Sequence, residues 1–253
     1  MTGFIPYCGV APTPGALAWN TDPVLAAILV GLVALSLRGG GDRAMRTTSL
    51  PGWLALALAL VSPLCNLGVA LFSARVAQHV AIALVAAPLL VAGRADLAVW
   101  RGLTGRDAPV GRTEMVLAPI LYAAVLWAWH APALYDATLR DNAVYWTMHV
   151  TNLLAALALW RAILRAPTPG ARVAVSFATG MQMGLLGAGL TLLPRALYAV
   201  HFGTTAPWGL SPLEDQQLGG LVMWVPGGVL LTVHAVLALS VTLRRMERAN
   251  ADA

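Results

Sequence analysis

The chain has 253 residues, of which 58% are hydrophobic and 11% charged, and its mean hydropathy is +0.73. Soluble globular domains carry roughly a quarter of their residues charged, so that class is excluded and a membrane-embedded protein remains. The net charge of +5 arises with 16 basic residues, all arginine and dispersed over short connections, a distribution that excludes a nucleic-acid-binding surface.

About 20 apolar residues carry a helix across a bilayer. Helices are the expected spanning element, because backbone polar groups in lipid must bond within their own segment. Seven segments meet the pattern in chain order: 22–37, 51–71, 76–93, 113–130, 145–164, 172–193 and 217–243. The first is short, and the second is punctuated by Ser62-Pro63. No cleavable signal is expected in MTGFIPYCGVAPTPG, which lacks a basic start and an apolar core. The fold class is therefore an all-α polytopic membrane protein with seven transmembrane helices. Its parts are an extracytoplasmic segment 1–21, a transmembrane domain 22–243 and a basic tail 244–253. Thirteen of the 16 arginines fall in the connections after spans 1, 3 and 5 and in the tail; Arg75, Arg140 and Arg195 fall on the other side. By the positive-inside rule the N-terminus is outside and the C-terminus cytoplasmic.

Along the chain, Cys8 in the first segment and Cys65 at the end of span 2 fall on the same, extracytoplasmic side. Disulfides persist there, and a pair of thiolates would equally suit Cu(I); both readings are open. Arg75 and His79 stand four apart and share a helix face at the start of span 3. Span 4 ends in Trp127, Trp129 and His130-Ala131-Pro132, followed by a polar connection with Asp136, Arg140 and Asp141. Span 5 opens with Tyr145, His149 and Asn152, a polar stripe at i, i+4 and i+7.

In span 6, Gly180 and Gly184 have the spacing that permits close helix approach, and Met181 and Met183 beside them are expected in core packing. After the loop 194–216, which holds His201, Gln216, Gly220 and Met223 share one face of span 7. Glu214 and Asp215 at its start are ordinary helix-terminus partners. His234 lies about 25 Å deeper at 1.5 Å per residue and is expected to be a core histidine.

Ionisable residues at membrane depth are functional candidates. His79, His130 and His149 come from three consecutive spans at one level, and consecutive elements usually neighbour each other. Imidazole suits copper, zinc and iron, and nearby Met or Cys tilts such a site toward copper.

The sequence resembles the multi-pass CtaG family of cytochrome c oxidase assembly factors, associated with caa-type oxidases. The matching residues are Ser62-Pro63-Leu64, Phe72-Ser73-Ala74 with Gln78-His79, Ala87-Pro88-Leu89-Leu90, Trp129-His130-Ala131-Pro132 with Leu134-Tyr135, and His149. They continue through Asp215-Gln216-Gln217, Gly219-Gly220 and Met223-Trp224. The resemblance implies seven spans in the bacterial cytoplasmic membrane. It also implies a non-enzymatic role in maturing haem–copper oxidases by supplying or inserting copper, with oxidase subunits and other copper chaperones as partners.

The expected metal ligands are His79, His130, His149, Cys8, Cys65 and Met223. Arg75, Gln78, Tyr145, Asn152, Asp215 and Gln216 are supporting residues. Many members of the family carry a histidine where Arg75 stands. A guanidinium stays protonated and cannot serve as a neutral ligand, so Arg75 either removes a ligand or holds a carboxylate such as Asp215. Cys8 and Cys65 would then supply the missing soft donors. Two alternative functions remain. One is a membrane redox protein with haem between histidines of neighbouring spans. The other is a metal or small-solute transporter, for which the inner half offers mainly His234 and Gln182.

Overall fold

The computed structural model describes residues 4–39, 43–106 and 112–251. Residues 1–3 of the first segment, part of the basic 93–112 connection and the last two residues of the tail lie outside the described residues. So do the side chains of Arg112, Arg245 and Arg248. Within them the chain is helical, without strands.

Local chemistry explains most helix starts. In α1 (Pro23–Arg38) the Asp22 side chain accepts from the Val24 N–H, and Pro23 opens the first turn. α2 (Arg43–Val61) ends at Ser62, whose hydroxyl caps the short α3 (Pro63–Ala70). The segment expected at 51–71 is therefore two helices: the spanning one begins eight residues earlier and stops at Ser62-Pro63, where proline removes a backbone donor.

After an extended Leu71, α4 (Phe72–Val80) passes through a π-helical turn (Ala81–Ala86) into α5 (Ala87–Ala92). Pro88 accounts for that turn. It has no N–H for the carbonyl four residues back, and the Ala87 N–H instead reaches the Ile82 carbonyl. The Ala83 carbonyl is taken by the Trp160 indole N–H at 2.7 Å.

α6 (Ala95–Thr104) precedes α7 (Arg112–His130), which turns by 76° at Ala131 into α8 (Pro132–Thr138). α9 (Asn142–Leu164) is capped by Asp141 and α10 (Pro169–Leu192) by Thr168. α11 (Pro212–Ala251) runs unbroken beyond residue 243. α10 and α11 form an antiparallel hairpin. Its close approach is at Gly187 and Gly220, where a Cβ on Gly187 would come within 2.9 Å of the Gly220 carbonyl oxygen. The Gly180/Gly184 spacing does not make it: Gly184 has nothing within 4 Å of a Cβ.

Among the described residues five helices are long and apolar enough to cross a membrane, or six if the bent α7–α8 pair is one span. α1, with 16 residues, covers only about 24 Å at 1.5 Å per residue, short of the roughly 30 Å hydrocarbon core. The two ends of the bundle differ. One gathers residues 4–22, α3, the α7–α8 bend and the 193–211 segment. The other is arginine-rich, and there Arg161 is shared between Asp96 at 3.5 Å and Glu114 at 2.7 Å.

Candidate metal-binding pocket

His79 and His149 each lie seven residues past the first residue of their helices, α4 and α9, so both sit about 10 Å down from the same end of the bundle. His130 joins them because Pro132 ends α7 there; the freed His130 carbonyl accepts from the Tyr198 hydroxyl at 2.9 Å. Ring centroids of His79 stand 5.5 Å from those of His149 and 6.4 Å from those of His130. All three line one cavity of about 20 Å³, together with Met183, Met223 and Asn152.

Two of the rings are held by backbone carbonyls: His149 Nδ1 lies 3.1 Å from Tyr145 O, and His130 Nδ1 lies 2.7 Å from Leu126 O. A carbonyl only accepts, so Nδ1 carries the proton in both and Nε2 keeps its lone pair. That arrangement orients a metal-binding imidazole. The Nε2 atoms of His149 and His79 are buried without a hydrogen-bond partner. A buried unpaired polar atom is costly, and a soft cation among imidazoles and thioethers would satisfy both atoms. Imidazole nitrogens and thioether sulfurs are donors of the kind that copper takes. Among the described residues, no three His, Cys, Asp or Glu side chains already stand close enough together to hold a metal ion. Closure would therefore draw on the thioethers or a small inward movement of the rings.

Cys8 and Cys65 are joined in a disulfide. Paired sulfurs offer no thiolate, so in this state the two cysteines clip the first segment to α3 and are not ligands. The clip approaches the pocket through Tyr145, whose OH lies 3.2 Å from Cys8 Sγ and 3.4 Å from Cys65 Sγ and whose ring, tilted to that of His149, is centred 4.3 Å from it. The first segment forms a strap over this end. Asn66 donates to the carbonyls of Cys8 and Val10, Trp208 donates to Pro12 O, and the Tyr7 hydroxyl donates to Asp22. Burial, then the Asp22 carboxylate, pushes the Tyr7 hydroxyl above its ordinary range.

The supporting residues divide. Asn152 lines the cavity; Tyr145 does not, and stands behind it with its ring centred 4.3 Å from that of His149. Gln78 turns the other way and donates to Ala59 O on α2 at 2.7 Å. Gln216 accepts from Leu197 N and donates to the Leu190 and Arg195 carbonyls, fixing the loop after α10. Asp215 is not the partner of Arg75. Its carboxylate accepts from Phe72 N at 2.6 Å and from Ser73 N and Oγ at 3.1 and 2.5 Å. It thereby caps α4, whose own preceding residue, Leu71, has no side chain able to do so.

Met183, expected in core packing, is buried in the core and also lines the cavity, where the Tyr122 hydroxyl points at its sulfur from 3.8 Å; Met181, given the same expectation, is exposed. Sequence reasoning missed the π-helical turn directly after His79; such turns recur at functional sites. His234 is packed edge-on to Trp160 at 5.8 Å and does not line the cavity.

Fold and pocket together define a class: an all-helical membrane protein with a small imidazole- and thioether-lined cavity toward one end of its bundle. The chain belongs to the cytochrome c oxidase caa3 assembly factor family (Caa3_CtaG), whose family model matches residues 21–245. No curated protein and no solved structure matches the chain.

Proposed function

We propose that this protein holds copper in the His79–His130–His149 pocket, with Met223 and Met183 as soft donors, and passes it to cytochrome c oxidase during assembly. The observation that carries the reading is the pair of buried, unpartnered Nε2 atoms of His79 and His149 in one cavity. Copper is cargo here, so the protein acts as a non-enzymatic assembly factor, with oxidase subunits and other copper chaperones as its partners. The arginine asymmetry supports a seven-span arrangement in the bacterial cytoplasmic membrane, with α1 as a short span and the strapped end extracytoplasmic. A reporter fused after Ala253 is then cytoplasmic; finding it outside would move the pocket to the wrong face for this role.

The small volume favours copper over haem. Organic ligand sites run to roughly 300–1,000 Å³, whereas this cavity of about 20 Å³ suits a single ion. Elemental analysis of the purified full-length protein beside its optical spectrum tests the proposal. Copper without a Soret band is the expected result. A Soret band would favour the haem-binding alternative, and absence of both after copper loading would sink the metal reading.

A further inference from the structure

Arg75 is 1% exposed, one helical turn before His79 on α4. Its Nε and Nη2 reach only the Gly68 carbonyl, at 3.4 and 3.3 Å, and its Nη1 is buried without a partner. Its guanidinium lies over the Tyr145 ring, 5.1 Å from the centroid. Among the described residues no carboxylate stands within ion-pair distance of it. Arg161 at the far end of the bundle, by contrast, has two. Asp215, the acid nearest in role, is occupied by the α4 N-terminus. Space for the side chain is left by a glycine: a Cβ on Gly68 would come 3.2 Å from Arg75 Nε.

A guanidinium is always charged, and a buried charge without a counter-ion is strongly unfavourable. Packing alone therefore gives no reason for this residue. Its position does. Tyr145 is the wall between Arg75 and His149, and His79 is its i+4 neighbour. Every polar or soft side chain lining the cavity is neutral: three imidazoles, two thioethers, the Tyr122 phenol and the Asn152 amide. Arg75 thus sets the sign of the field there.

Resting on the copper reading, we propose that Arg75 is a specificity-determining residue that makes the pocket select monovalent Cu(I) over divalent ions. An ion's energy in a fixed field is proportional to its charge. The factor by which Arg75 weakens a divalent ion is therefore the square of the factor for a monovalent one, at equal position. Neutral soft donors already favour Cu(I), and the buried cation multiplies that preference.

The test uses full-length protein in detergent, with dissociation constants for chelator-buffered Cu(I) and for Zn(II). Arg75→Gln and Arg75→Met remove the charge; Arg75→Lys keeps it. Thermal melting establishes that each variant is folded, and the Met variant also removes the unpaired donor should Gln prove unstable. If loss of charge tightens Cu(I) roughly 10-fold, Zn(II) tightens roughly 100-fold, while Arg75→Lys keeps the wild-type ratio within a few-fold. Equal changes for both ions, no change, or a Lys variant that behaves like Gln would overturn the proposal and leave Arg75 a structural residue. Wild-type protein that holds neither ion would overturn the copper reading itself, a result recognisable before any variant is made.

Discussion

His201 and His149 are both buried at the strapped end of the bundle, yet their ring nitrogens are used in opposite ways. His201 Nε2 is paired with the Tyr135 hydroxyl at 2.8 Å, and its Nδ1 lies 3.5 Å from Thr204 Oγ1. It sits in an aromatic layer where Phe72 stacks on Tyr198 at 4.2 Å and Tyr135 packs against both. His149 instead gives Nδ1 to a carbonyl and leaves Nε2 facing a cavity with no partner. The lesson is that burial of an imidazole says little. What marks a ligand is one nitrogen fixed by an acceptor and the other left bare in a space that an ion can fill.

The largest effect is expected where that contrast is attacked directly. His79→Ala, His130→Ala and His149→Ala should each remove more Cu(I) affinity than the roughly 10- to 100-fold typical of losing an outer-sphere partner. Oxidase maturation should fall with it, while the protein stays folded and membrane-inserted. His201→Ala should leave copper content unchanged. Full copper retention in all three pocket variants, or copper loss in His201→Ala, would erase the distinction between the two histidines.

An intermediate effect, on stability, should appear at His201 alone. Truncation to Ala leaves the buried Tyr135 hydroxyl unpaired, at a cost of about 1–3 kcal/mol. The pH dependence follows from the position of its titration. Burial, with a contribution from the Arg75 charge, lowers His201 from 6.5 to about 3. Between those values the unfolded chain takes up a proton that the folded chain refuses. The His201 contribution is therefore fully present above about pH 6.5 and falls away progressively toward pH 3. Thermal melting of wild type and His201→Gln against pH should show the two curves converging as the solution is acidified through that window. Parallel curves would mean that His201 takes up its proton equally readily in the folded and unfolded chain.

How much of this was legible in the sequence depends on the range of the interaction involved. The helices are local events: apolar runs and Ser62-Pro63 announce their starts and stops. The Tyr145–His149–Asn152 stripe needs only the helical period; the two cysteines were placed on one side, but that left a disulfide and a thiolate pair equally open, and the structure shows the disulfide. The cap on α4 was not legible, because Asp215 reaches Phe72 across 143 residues and an aspartate at the start of α11 already has an ordinary local use there. The true close approach at Gly187 and Gly220 was masked by a glycine pair with the expected spacing, Gly180 and Gly184, of which Gly180 meets Leu231 of α11 only at ordinary contact distance and Gly184 meets nothing. The pairing of Arg75 with Asp215 failed for the same reason as the cap: opposite charges suggest a contact, but backbone donors were the nearer partners.

The smallest and most selective effect is expected at the methionines, which sharpen the comparison within one helix. Met181 and Met183 are two residues apart on α10, and nothing in the residue pattern separates them. α10 is apolar around most of its circumference, so periodicity does not reveal its inner face. The structure separates them: Met181 is 57% exposed on the bundle surface, whereas Met183 is 2% exposed with its sulfur at the cavity, and Met223 is 1% exposed on the facing helix α11. Met→Leu conserves volume and usually costs less than about 1.5 kcal/mol in a core, so it removes the thioether and little else. Met183→Leu and Met223→Leu should weaken Cu(I) binding by roughly 10-fold or less while leaving Zn(II) binding unchanged, because a thioether is a soft ligand that favours Cu(I). Met181→Leu should change neither. Loss of Zn(II) and Cu(I) affinity together in the Met183 variant would instead indicate that the side chain shapes the cavity and contributes no donor. An effect of Met181→Leu equal to that of Met183→Leu would place the bound ion outside this pocket.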